Sequence, residues 1–223
     1  MRRVKWFGAE WPVSIRTLAS RMKAHPFTEE RSSGFFIDRV RDSFINGRYV
    51  EKVTYEEILT TPFGQEDRFE RTEYRQVEFN LFSTFPNVEL WDAPRSTQGF
   101  VSRLLEMNNF NMTLNPLHVN VLDWAKGLQG RIKSTLLIDE IQIAGLEFEP
   151  GVSAKISLKS GKDVRDALTR LTKGKSFELE RVHATIRSDD SMYAIVLTSS
   201  ASARLVASSE ESILVALRES LPS

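Results

Sequence analysis

The chain contains no cysteine in its 223 residues. Disulfides, thiolate zinc sites, iron–sulfur clusters and a cysteine nucleophile are therefore all excluded. A chain without such staples must fold by burying side chains. The composition suits that: hydrophobic residues make up 41% and 14 phenylalanines supply bulky filling, which disordered chains lack. A length of 223 residues fits one large domain or two small ones.

No apolar run approaches the roughly 18 residues that a membrane-spanning helix needs. The opening Met1-Arg2-Arg3-Val4-Lys5 is not followed by the apolar core of a signal peptide. With no cysteine either, a reducing, cytoplasmic setting is expected.

Apolar periodicity predicts a mixed α+β fold, mostly antiparallel sheets with helices packed on one face. Ile15, Leu18, Ala19 and Met22 recur at helical spacing, behind the aromatics Trp6, Phe7 and Trp11. Asn46-Gly47, a pair favoured at two-residue hairpin turns, predicts a hairpin between Phe35–Phe44 and Arg48–Thr54. A short helix is expected at Tyr55–Leu59, strands at Val77–Phe82 and Val88–Asp92, and a helix at Ser96–Met107. Leu117, Val119 and Val121 alternate with His118 and Asn120 as in a strand, with Gly127 and Gly130 suggesting a connection. Strands are expected at Leu136–Ala144 and Val152–Leu158 around Glu149-Pro150-Gly151, then a helix with Val164, Leu168 and Leu171 on its core face. Further strands follow at Phe177–Ile186, Met192–Leu197 and Arg204–Ala207. Ser208 with Glu211 opens a last helix carrying Ile213, Leu214, Leu217 and Leu221.

Phe35-Phe36-Ile37-Asp38-Arg39-Val40 and Leu136-Leu137-Ile138-Asp139-Glu140-Ile141 match in type and phase. The match suggests two tandem copies of a strand–strand–helix–strand–strand–helix unit. On that division, residues 1–33 form an N-terminal amphipathic segment with aromatic anchors, 34–130 a first α+β subdomain and 131–223 a second.

Strand alternation places Asp38 in phase with Phe36 and Val40, and Asp139 with Leu137, Ile141 and Ile143. A carboxylate on an apolar face is what a general acid or a metal-seeking acid requires. Asp38 and Asp139 are thus the candidate catalytic residues, with Glu140, Glu147 and Glu149 available as further ligands for magnesium. Against that, the histidines His25, His118 and His183 are scattered with no HExxH or triad-like context, and no phosphate-cradle glycine motif is present. No cofactor or metal site is expected.

Net charge is zero but uneven: residues 1–48 carry 10 basic and 5 acidic groups, 49–150 carry 9 and 16, and 151–223 carry 11 and 9. The densest basic run holds Lys155, Lys159, Lys162, Arg165, Arg170, Lys173 and Lys175 against Asp163 and Asp166, a candidate nucleic-acid or polyanion surface. Glu51–Glu78, with Arg68, Arg71 and Arg75 interleaved, reads as an exposed hairpin or projection that could dock a basic protein partner. The leading functional expectation is a non-catalytic binding or assembly protein, a component of a complex contacting a protein or nucleic-acid partner. The alternatives are a metal-dependent, nuclease-like hydrolase on Asp38 and Asp139, and a small-ligand sensor.

Overall fold

A computed structural model describes residues 2–132, 134–187, 192–205 and 211–222. In chain order its elements are β1 (Arg2–Glu10), α1 (Ile15–Lys23), β2 (Ser33–Arg41), β3 (Phe44–Thr60), β4 (Glu66–Phe82), β5 (Val88–Trp91), α2 (Gln98–Met107) and β6 (Thr113–Pro116). They continue with α3 (Val121–Arg131), β7 (Thr135–Glu149), β8 (Val152–Lys159), α4 (Arg165–Leu171), β9 (Glu178–Arg187), β10 (Met192–Thr198), β11 (Ser202–Leu205) and α5 (Glu211–Glu219). The chain divides into two compact units, Ala9–Leu114 and Met1–Gly8 with Asn115–Ser223. Each is an antiparallel sheet with helices on its buried face. These boundaries differ from the sequence segments 1–33, 34–130 and 131–223, because the start of β1 pairs with β11 (Val4 opposite Ala203).

In the unit Ala9–Leu114, β2, β3, β4 and β5 pair in sequence order. Phe35, Ile45, Tyr49, Val77, Phe79, Leu81, Val88 and Leu90 form its buried face. Helix α1 covers part of it with the four residues its periodicity marks, Ile15, Leu18, Ala19 and Met22, all buried. Ser14 Oγ caps the helix by accepting from Thr17 N–H at 3.2 Å. Helix α2 adds Phe100, whose ring lies 5.2 Å from Phe79 and 5.9 Å from Tyr49.

Three expectations fail here. Asn46-Gly47 is not a turn: Arg41 pairs with Phe44, so the hairpin turns at Asp42-Ser43 and Asn46-Gly47 lie inside β3. Gly47 is needed for a close backbone approach, since a Cβ there would stand 2.3 Å from the Phe36 carbonyl oxygen. Tyr55–Leu59 is strand, not helix, because it pairs residue by residue with Asp67–Arg71. The expected unit with a helix at its middle therefore does not describe residues 34–130. From Val53–Thr60 paired with Glu66–Glu73, the β3–β4 ribbon has no further strand beside it among the described residues and runs outward as an arm. The hairpin reading of the charged middle holds.

In the unit containing Asn115–Ser223, pairing runs β1-β11-β10-β9-β7-β8. Val4, Trp6, Ile138, Ile141, Ile143, Val182, Ala184, Ile186, Ile195, Leu197 and Ala203 make the buried face. Trp124 of α3 meets Trp6 edge-on at 5.6 Å and donates Nε1–H to Leu217 O of α5. The segment expected as strand and connection is helix α3. Asn120 Oδ1 caps it by accepting from Leu122 and Asp123 N–H, and Val121, Trp124, Ala125 and Leu128 form its buried stripe. The strands around Glu149-Pro150-Gly151, the helix at Arg165–Leu171 and the helix at Glu211–Glu219 are present. Val206, Ala207 and the cap at Ser208 lie outside the described residues. Among the described residues no helix is long and apolar enough to cross a membrane.

Candidate functional site

The face of this second sheet opposite its core carries the charge. Along β9, Val182, Ala184 and Ile186 are buried, so period-two alternation sends Arg181, His183, Thr185 and Arg187 to the other side. On β1, buried Val4 and Trp6 likewise alternate with Arg3 and Lys5. Strand register aligns these residues in rows. One row reads Lys159, Glu140, His183, Val196, Arg204, Arg3 across β8, β7, β9, β10, β11 and β1. The next reads Ser157, Gln142, Arg181, Thr198, Ser202, Lys5. Among the described residues this face carries Arg3, Lys5, Lys155, Lys159, Arg181, Arg187 and Arg204 with His183, together with the carboxylates of Asp139, Glu140 and Glu180, the last paired with Lys155.

Asp139 and Glu140 are adjacent in sequence yet point the same way because of a β-bulge. Ile138 pairs with Ala184 and Glu140 with His183, leaving Asp139 as the extra residue. The bulge also overturns the expected phase. Asp139 faces the polar side with Leu137, whereas Ile141 and Ile143 beyond the bulge are buried. Asp139 Oδ1 meets His183 Nδ1 at 2.5 Å and Oδ2 accepts from the Thr185 hydroxyl at 2.8 Å. Glu140 accepts from Arg181 at 2.9 Å and Ser157 at 3.0 Å and pairs with Lys159 at 3.1 Å. Burial by itself pushes the Glu140 carboxyl up, but the hydrogen bonds from Lys159, Ser157 and Arg181 and the Lys159 charge outweigh it and hold it below its ordinary value. A cavity of about 530 Å³ opens here, its wall including Asp139, Glu140, Lys159, His183, Thr185 and Arg187.

Asp38, the other candidate, belongs to the other unit. It too is the extra residue of a bulge, between Ile37 opposite Gly47 and Arg39 opposite Asn46. Its side chain is 50% exposed and its ion pair, with Arg48, is 3.9 Å long. Among the described residues no group of three or more His, Cys, Asp or Glu side chains is placed to hold a metal ion.

The basic run from 155 to 175 is dispersed. Lys155 pairs with Glu180, Lys159 with Glu140, and Arg165 is held by Asp163 through Nε and Nη2 at 2.9 and 2.8 Å. Lys162, Arg170, Lys173 and Lys175 are exposed on and around α4. Of the seven, only Lys159 stands in the rows just described. Arg3, Lys5, Arg181, His183, Arg187 and Arg204 come from distant parts of the chain. The readable signal was the alternation of Arg3 and Lys5 with Val4 and Trp6, and of Arg181, His183 and Arg187 with Val182, Ala184 and Ile186.

No protein-family model matches the sequence, and no curated protein matches it.

Proposed function

We propose that the protein binds a single-stranded nucleic acid along the polar face of the sheet formed by β1, β11, β10, β9, β7 and β8. The observation that carries this reading is the register that gathers Arg3, Lys5, Lys159, Arg181, Arg187 and Arg204 on one face while the opposite face is core. Six strands at the usual spacing extend on the order of 24 Å, enough to follow several nucleotides. Cations on such a surface neutralise phosphates, and half-exposed Phe7 beside Lys5 (5.1 Å from Nζ to the ring centre) offers a base a stacking surface. Glu140 ties Lys159 and Arg181 in place, so they stand ordered before a ligand arrives.

The test is fluorescence anisotropy of a short labelled RNA against salt. Single-stranded binding loses about 0.7 in log K per phosphate contact for each decade of salt. The double variant R187S/R204S is expected to bind about tenfold more weakly or worse, with a salt slope shallower by about 1.4. Unchanged affinity and slope in that variant would exclude this face.

A second reading concerns the arm, where Phe63 is 93% exposed, Leu59 56%, Phe69 50% and Ile58 49%. So much exposed apolar surface among acidic side chains suits docking of a protein with a basic, partly apolar surface. Replacing 61–65 with Asn-Gly is expected to abolish a stoichiometric partner in co-purification and leave RNA affinity intact. A partner retained by that variant would refute it.

A further inference from the structure

We propose that this protein cleaves the RNA strand it binds, by attack of a ribose 2′-hydroxyl on the adjacent phosphodiester with His183 Nε2 as general base. The inference rests on the strand-binding reading above and adds a reaction to it.

His183 directs Nδ1 at Asp139, so Nε2 is the nitrogen left to face the cavity. Asp139 is held in turn by the Thr185 hydroxyl through its other oxygen. A carboxylate hydrogen-bonded to one ring nitrogen fixes the tautomer with Nε2 unprotonated and stabilises the imidazolium that forms when Nε2 takes a proton. Side chains that serve only to bury a sheet face do not need this arrangement at the wall of an open cavity. The surrounding charges complete it. Glu140 is occupied by Lys159, Arg181 and Ser157, and exposed Arg187 lines the same cavity. A phosphate there meets cations, and not two bare carboxylates.

The step balances without a co-reactant. Nε2 accepts the 2′-hydroxyl proton, the 2′-oxygen forms a bond to phosphorus, and the bond from phosphorus to the 5′-oxygen breaks. The leaving 5′-oxygen takes a proton from water, and the imidazolium later returns its proton to solvent. The products are a 2′,3′-cyclic phosphate and a 5′-hydroxyl. Arg187 and Lys159 stand where charge builds on the non-bridging oxygens. DNA lacks the attacking group, so it is bound but not cut.

Charged and titratable groups face His183 from every neighbouring strand that carries them. Asp139 and Glu140 come from β7, Lys159 from β8 beyond it, and Arg181 and Arg187 from β9 itself; β10 presents the uncharged Ala194 and Val196. Asp139 is a positioning residue: its contact with Nδ1 turns Nε2 toward the cavity. D139A is expected to lower kcat with the KM for RNA unchanged, and D139N, whose amide oxygen still accepts from Nδ1–H, to recover part of the rate, a rescue that a merely structural loss does not produce.

The experiment incubates the full chain in EDTA with a short end-labelled RNA and with DNA of the same sequence, resolving products and binding in parallel. Cleavage of RNA alone, yielding cyclic-phosphate ends, is expected. H183A and the volume-conserving H183Q are expected to lose about a hundredfold or more in rate while retaining RNA affinity, which shows that they are folded. D38N is expected to cleave as the wild type does. RNA that is bound in a salt-dependent way yet stays intact overturns this inference and leaves the binding reading standing. Cleavage undiminished in both His183 variants overturns it as well, and failure of the wild type to bind RNA overturns both.

Discussion

The two bulges, Ile37-Asp38-Arg39 in β2 and Ile138-Asp139-Glu140 in β7, are the same backbone device with different surroundings. Each inserts one aspartate into an antiparallel ladder, so that the aspartate and the residue after it both face away from the core. Opposite the first stand Gly47, Asn46 and Arg48; opposite the second stand Ala184, His183 and Thr185. The first aspartate is half-exposed with one long ion pair, while the second is held through both oxygens at the wall of a cavity. A bulge supplies a position, and the facing strand decides whether that position has any chemistry.

The largest difference expected between the two is in the facing small residue. Gly47→Ala places a Cβ against the Phe36 carbonyl at 2.3 Å and is expected to cost about 3 kcal/mol. Ala184→Gly in the matching place makes no clash, adds backbone freedom and removes one buried methyl, and is expected to cost about 1–2 kcal/mol. Urea denaturation measures both, and equal midpoints would mean that the bulge in β2 forces no close approach.

Next come the aspartates themselves. Asp139→Ala strands the His183 Nδ1 and the Thr185 hydroxyl and is expected to cost about 1–2 kcal/mol. Asp38→Ala removes an exposed pair and should stay within about 0.5 kcal/mol. A D38A variant as unstable as D139A would erase the contrast.

The smallest effects are in pH dependence, where the units differ in direction. Glu140 and Asp163, both in the unit containing Asn115–Ser223, are held below their ordinary values of 4.5 and 3.8. For Asp163 burial again pushes upward and is outweighed, here by hydrogen bonds from the Arg165 side chain and backbone. A carboxyl lowered in the folded state binds fewer protons there than when unfolded. Its stabilisation is in place above the ordinary value and is lost as pH falls through the lowered one. Tyr49, in the other unit, is raised above 10.0 chiefly by burial, so its stabilisation is in place below that value and is lost as pH climbs through the raised one. Hydrogen exchange read by mass spectrometry should show the unit containing Asn115–Ser223 loosening first in acid and the unit Ala9–Leu114 first in alkali. Glu140→Gln should blunt the former and Tyr49→Phe the latter; the same order at both extremes would refute the assignment.

How much of this was legible depended on whether local residues or partners set the structure. Helix α1 was readable because Ile15, Leu18, Ala19 and Met22 alone define its stripe. Helix α3 was not, although Asn120 with Val121, Trp124, Ala125 and Leu128 carries an equal signal, because Val119 and Val121 also fit a strand and Gly127 and Gly130 suggested a break. Asn46-Gly47 misled for a physical reason: the glycine that permits a turn equally permits the tight crossing of β2 and β3 at the bulge. Tyr55–Leu59 was unreadable as strand because it pairs with the opposite side of the arm and not with a core. At the candidate site Asp139 was legible as a carboxylate on a strand. The step to His183 spans 44 residues and depends on a register break that no local pattern displays.

The arm stands clear of the sheet that supports it. Its eight rungs, Val53–Thr60 against Glu66–Glu73, carry the tip at Thr61–Gln65 on the order of 26 Å from the supporting sheet. Near that tip Thr61 and Gln65 are joined by the Thr61 N–H to Gln65 O bond, and Gly64 has open space around it. Sequence grafted between these residues meets no neighbour to displace, and lengthening a closed loop costs little. A foreign epitope or a fluorescent label belongs there: it reports whatever approaches the arm and leaves the folded units as they are.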